Sequence, residues 1–243
     1  MSGHAALRGD FHVHSVFSDD AVSTLAQNIA AASAAGLEVV RLTDHVREST
    51  AWVPEFVAAV RAEPRPDGLT VLTGVEAKLL DTAGHIDAPQ DLAGVDAVVI
   101  ADHQFPGPDG PWSPTTTRER LAAGLGEAEA IGMFMDASEA VMRRAAVAYP
   151  NQRAQLAHWF SILPKVGLSE RAIGDEQLQS WAATAASTGT ILEVNEKWGC
   201  PGPRVIRAAL DAGVEVVAST DAHEATDVGR YRRVSSILTE AVS

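Results

Sequence analysis

Residues 9 to 21 read GDFHVHSVFSDDA, and in that stretch Asp10, His12, His14, Asp19 and Asp20 crowd the end of a short apolar run. Polar groups of this kind are costly to bury unless a partner compensates them. Alternate residues of a strand point to one face, so His12 and His14 can direct two imidazoles at one point. Asp221 and His223 in STDAH repeat that spacing near the far end of the chain. Neutral imidazole and carboxylate together form a donor set for divalent zinc, manganese or iron. A metal cation is the expected compensation.

The elements that must position these groups follow from periodicity. Strand-like runs lie at 11–14, 38–44, 69–80, 96–102, 153–159, 190–195 and 215–220. Alanine-rich helical segments separate most of them: one with Ser23 as a possible N-cap and Gly36 as its stop, another in AWVPEFVAAVRAE, and a long one from TTTRERL running on to RRAAVAY. DEQLQSWAATAASTG, PGPRVIRAALDAG and the C-terminal RRVSSILTEAV complete the set. Strand and helix alternation argues a parallel α/β sheet, because parallel neighbours need a crossover of helical length. A closed barrel accommodates seven such units, in one domain over 1–243. The Pro- and Gly-rich stretch 104–114 reads as a loop at the strand-end face.

Of the eight histidines, His12, His14, His45, His103, His158 and His223 fall at the C-terminal ends of strands. In a parallel barrel those ends share one face, so side chains scattered along the sequence converge. Glu76, Glu193 and Asp221 show the same bias. A strand-end histidine taken alone is more commonly a core or surface residue than a ligand; six with three carboxylates point to metal. His4 and His85 stand apart, in the N-terminal segment and the turn DTAGHIDAP. Asp10 reads either as a ligand or, preferably, as an acceptor behind an imidazole N–H. Asp44 and Asp102, each directly before a histidine, are expected to point away and take no metal role.

Composition narrows the function classes. The 243-residue chain carries 19 Lys and Arg against 32 Asp and Glu, a formal charge of −13, which disfavours extended nucleic acid and anionic membranes as partners. Its single cysteine excludes an intrachain disulfide and suits a reducing interior. No apolar stretch approaches a membrane span and no signal-peptide core is legible, so a cytoplasmic protein is expected.

The ordered set DFHVHSVFSDDA, LTDH, GVEAKL, ADHQF, LAHWF, LEVN and STDAH resembles the PHP family, named for polymerase and histidinol phosphatase domains, and in particular its stand-alone phosphoesterases. The resemblance implies a distorted seven-stranded, TIM-like (β/α) barrel with two or three divalent ions, zinc, manganese or iron, at its C-terminal face. It places one ion on His12, His14, Glu76 and Asp221, and a second on Glu76, His103 and His158. A third falls on Asp20, His45 and His223. Asp20 is preferred over Asp19, which fills the neighbouring position. Glu76, Asp221 and His223 are the ligands also expected to serve catalysis.

The resemblance implies release of phosphate from a small phosphorylated metabolite, such as histidinol phosphate or a sugar or nucleoside phosphate, through a hydroxide bridging the metals. Lys165, Lys197, Arg204 and Arg230 are candidate phosphate clamps, or else solvated surface charges. Trp112, Trp159 and Trp198 are candidate pocket walls, as are the loops 46–54 and 104–116. Glu193 reads as an acceptor behind a ligand or as a helix cap. Competing readings are an amidohydrolase-type hydrolase, a phosphodiesterase or exonuclease on short nucleotides, and a sensor that has lost catalysis. The Glu76 motif and LTDH count against the first, net charge against the second, and the full ligand set against the third.

Overall fold

The computed structural model describes residues 3–243. Each expected strand forms: β1 (Gly9–Val13), β2 (Val39–His45), β3 (Thr70–Lys78), β4 (Ala97–Ala101), β7 (Arg153–Ala157), β8 (Ile191–Asn195) and β9 (Val216–Ser219). All pair in parallel, in the order β1-β2-β3-β4-β7-β8-β9. The barrel is nearly closed. Between its outer strands a bridge joins Val13 to Ala222, where His14 N donates to Ala222 O at 2.8 Å.

The helices are α1 (Gly3–Ala6), α2 (Leu25–Ala34), α3 (Val53–Ala62), α4 (Pro114–Ala122), α5 (Glu127–Ala148), α6 (Ile162–Lys165), α7 (Asp175–Thr188), α8 (Pro203–Asp211) and α9 (Arg233–Val242). Amphipathic spacing sets their inward faces, as in α8, which buries Val205, Ile206 and Ala209. The buried Ser138 of α5 accepts indole N–H groups from Trp159 (2.8 Å) and from Trp181 of α7 (2.6 Å), fastening this layer to the barrel.

Three local expectations are corrected. The cap of α2 is Thr24, whose hydroxyl accepts from Gln27 N; the Ser23 hydroxyl instead accepts from Ala225 N at 2.8 Å. The long segment after 114 is two helices, broken around Gly124, whose φ of 114° favours glycine. Stretch 104–114 is a hairpin, β5 (Phe105–Gly107) against β6 (Gly110–Trp112). Its tight approach requires Gly107, since a Cβ there would meet the Trp112 indole at 2.1 Å. No helix joins β3 to β4, where the sequence offers no helical segment; Ala88, Leu92 and Val95 of that loop are buried.

Candidate metal centre

The strand ends deliver the expected side chains to one place. Register pairs His45 with Glu76 across β2 and β3, and His45 Nδ1 stands 2.7 Å from Glu76 Oε2. The same oxygen is 3.4 Å from His14 Nε2 and 3.5 Å from His12 Nε2. The other oxygen, Glu76 Oε1, is 3.2 Å from both His103 Nε2 and His158 Nε2. His14 Nε2 is also 3.2 Å from Asp221 Oδ1. At the outer edge, Asp20 Oδ2 lies 3.3 Å from His45 Nε2 and 3.2 Å from His223 Nε2.

Three groups of converging donor atoms result: His12, His14 and Asp221; Glu76, His103 and His158; His14, His45 and His223. His12, His14, His158 and Glu76 are deeply buried, whereas Asp20, His45, His103 and His223 face the opening. His158 and Asp221 hold positive φ, 35° and 55°. Such backbone is strained for side chains with a Cβ, and it is found where a site demands it.

Hydrogen-bond roles test whether cations fit. His12 Nδ1 is 3.1 Å from Glu193 Oε2, so its N–H is committed there and its Nε2 presents a lone pair. Ser18 Oγ donates to Asp44 Oδ1 at 2.7 Å and can therefore only accept from His14 Nδ1, 3.3 Å away; His14 Nε2 is also a lone pair. His158 Nδ1 faces Asp102 Oδ1 at 3.3 Å, which leaves a third lone pair toward Glu76. His12 Nε2 and His14 Nε2 stand only 3.0 Å apart, near the roughly 3.4 Å between two nitrogens on one tetrahedral zinc. Glu76 Oε2, among these lone pairs, is buried without a well-directed donor. Lone pairs and carboxylates converging out of water repel one another; divalent cations between them fit the site.

Protons are the other possible compensation, and the titration behaviour reflects it. Burial alone would lower the His12 pKa, but the carboxylates of Glu193 and Glu76 outweigh it and raise it well above the ordinary range. Burial likewise opposes, and the hydrogen bonds to Asp102 and Glu76 overcome it, in carrying His158 up to about 10. His14 goes the other way, pushed down to about 4 chiefly by burial. Glu76 and Asp221 are buried, yet the surrounding imidazoles hold both well below the usual carboxylate range.

Several roles differ from expectation. Asp10 reaches no imidazole: it accepts from Thr220 N at 2.9 Å, Gly229 N at 3.0 Å and the Thr220 hydroxyl at 2.5 Å, fastening β1 to the chain beyond β9. Glu193 takes the acceptor role behind His12, and Gln155 and Asn195 steady it at 2.7 and 2.6 Å. Asp102 does not point away: it sits behind His158, because β4 ends at Ala101 and strand alternation stops there. Asp44 does point away from the cluster, toward Ser15 and Ser18.

The mouth is a cavity of about 480 Å³ that includes Lys165, Lys197 and Trp198. Arg204 is excluded from it, because its guanidinium is engaged by Asp175 and by Ile173 O. Arg230 lines an adjoining hollow of about 420 Å³ that shares Lys197, Asp221 and His223. Trp159 is wholly buried and Trp112 stacks on Phe105, so Trp198 alone of the three tryptophans forms a wall. Loop 46–54 contributes Val46 and Arg47, and 104–116 contributes nothing. Arg47 and Lys78, also in the cavity, were missed by the sequence reading, although each lies two residues beyond a ligand candidate, His45 and Glu76.

The PHP domain family model matches residues 10–197. A probable phosphatase of Edwardsiella ictaluri is 29% identical, the match covering 95% of this chain and 84% of the relative. A probable phosphatase of Shewanella sediminis is 26% identical over 96% of this chain and 85% of its own. Among solved structures, the histidinol phosphate phosphatase of Lactococcus lactis, complexed with zinc, L-histidinol and phosphate, superposes with a TM-score of 0.60 at 16% identity. That match covers 96% of this chain and 92% of the other, a likeness of fold.

Proposed function

The chain belongs to the PHP domain family, and on that premise we propose that it is a metal-dependent phosphatase acting on a small phosphomonoester, with histidinol phosphate or a sugar or nucleoside phosphate as examples. The observation that carries this reading is the set of imidazole lone pairs held toward Glu76 and Asp221 at the base of an open cavity. In the proposed assignment His12, His14, Glu76 and Asp221 hold one ion, and Glu76, His103 and His158 a second. Asp20, His45 and His223 hold a third. When bound, such ions supply Lewis acidity, acidifying water and neutralising phosphate charge.

The chain's own residues do the rest. Glu76 offers one oxygen to each of two imidazole groups, which keeps those groups at a fixed separation. Glu193 and Asp102 hold protons on the outer nitrogens of His12 and His158, so the inner nitrogens stay available. Asp20, His45, His103 and His223 line the side from which a phosphate enters. Lys165 and Lys197 stand at the rim after β7 and β8, suited to grip its free oxygens. A protein of net charge −13 thus acquires local attraction for an anion.

The test is a panel of phosphate mono- and diesters with metal-loaded protein, reading inorganic phosphate. Release from monoesters with diesters inert supports this reading. Cleavage of diesters alone moves the assignment to the phosphodiesterase alternative, and release from neither overturns both.

A further inference from the structure

Several surface cations of this acidic chain are paired with carboxylates. Arg8 pairs with Glu38, Arg120 with Asp109, Arg143 with Glu139, Arg153 with Glu215 and Arg204 with Asp175. In the cavity, Lys197 Nζ lies 3.4 Å from Asp221 Oδ2, but two other cations meet no carboxylate. Lys78 Nζ meets only the neutral Gln104 Oε1, at 3.2 Å, and the exposed Arg47 side chain has no partner among the described residues. Asp19 and Asp87 line the same cavity without forming an ion pair with either, and one Asp87 oxygen accepts from Glu48 N at 2.8 Å.

Barrel order separates the cations into two pairs. Arg47 and Lys78 follow the adjacent strands β2 and β3, whereas Lys165 and Lys197 follow the adjacent strands β7 and β8 across the mouth. The ligand cluster lies between the pairs. Carboxylates also line this cavity, yet none of them meets Arg47 or Lys78, so both remain available to an anion. One phosphate, gripped beside Lys165 and Lys197, leaves the opposite pair unanswered.

The geometry points to a second anionic subsite at Arg47 and Lys78, and hence to phosphomonoesters carrying a second anionic group, a carboxylate or another phosphate, as the preferred substrate class. The inference rests on the phosphatase reading above and narrows it. A cavity of about 480 Å³ has room for a doubly anionic metabolite, and Arg47 offers the forked donor set that such groups bind.

Two matched series test it with metal-loaded protein: glycerol 3-phosphate against 3-phosphoglycerate and propane-1,3-diol bisphosphate, and glucose 6-phosphate against 6-phosphogluconate and glucose 1,6-bisphosphate. We expect kcat/KM for the doubly anionic members to exceed that of their references by about tenfold, the scale of one charge-assisted contact. Arg47→Met and Lys78→Met should each shrink that ratio severalfold; the carboxylate and bisphosphate arms distinguish the two anions. A ratio near one in the wild type, or one that neither variant changes, overturns the subsite. If no ester in either series releases phosphate, the phosphatase reading itself fails. The subsite is then judged by calorimetry, where wild-type protein must bind 3-phosphoglycerate more tightly than glycerol 3-phosphate and both variants must lose that preference.

Discussion

Glu193 Oε2 lies 3.1 Å from His12 Nδ1 with both side chains fully buried, and Gln155 Nε2 donates to the same oxygen at 2.7 Å. This carboxylate fixes which nitrogen of His12 carries the proton and so aims the other at the cluster. Glu193→Gln is expected to weaken metal affinity by about 10- to 100-fold, the range for partners that orient a ligand. Competition against a chelator of known affinity measures this; an unchanged affinity contradicts the role.

Asp10 should matter for stability. Its Oδ1 accepts from Thr220 N, and its Oδ2 accepts from the Thr220 hydroxyl and Gly229 N. An amide in its place must turn a donor toward one of those sets. Asp10→Asn is expected to cost about 1–3 kcal/mol, the penalty for a buried unsatisfied group. Urea unfolding checks it, and an unshifted midpoint at unchanged slope contradicts it.

Removing the metals should expose a pH dependence. In stripped protein, hydrogen bonds to Asp102 and Glu76 overcome burial and hold the His158 pKa up to about 10, above its ordinary 6.5. A raised imidazole pKa adds stability that is fully present below 6.5 and is lost as pH rises toward 10. The Tm of chelated protein is therefore expected to fall between pH 7 and 10, less so in loaded protein, where an ion replaces the proton. Loading should also raise Tm at pH 7 through mass action and release protons. A chelated protein whose Tm is flat across that range, or rises, contradicts this.

Strand positions and the converging histidines were legible because they rest on local rules: β-type runs, alternation, and the common face of parallel strand ends. His12 and His14, or Asp221 and His223, advertise themselves by spacing. The partners behind them do not. Asp102 lies one residue beyond β4, where alternation no longer governs direction. Asp10 forms its contacts with Thr220 and Gly229, more than two hundred residues away, so barrel closure alone determines its role. Arg204 could be recognised as engaged elsewhere only once α7 brought Asp175 against it. The loop between β3 and β4 buries its apolar residues without helical periodicity, and no helix forms there.

Glu76 faces His14 with one oxygen and His103 and His158 with the other, and in the proposed function it would join two metal positions. The most direct test of that role is the rate of inorganic phosphate release from a phosphomonoester by metal-loaded wild-type protein and by Glu76→Gln. That substitution keeps the size of the side chain and removes the charge between two cations. The expected result is steady release by the wild type and a loss of well over about 10²-fold in the variant, beyond what disturbing an orienting partner causes. Comparable rates from both proteins would contradict the account.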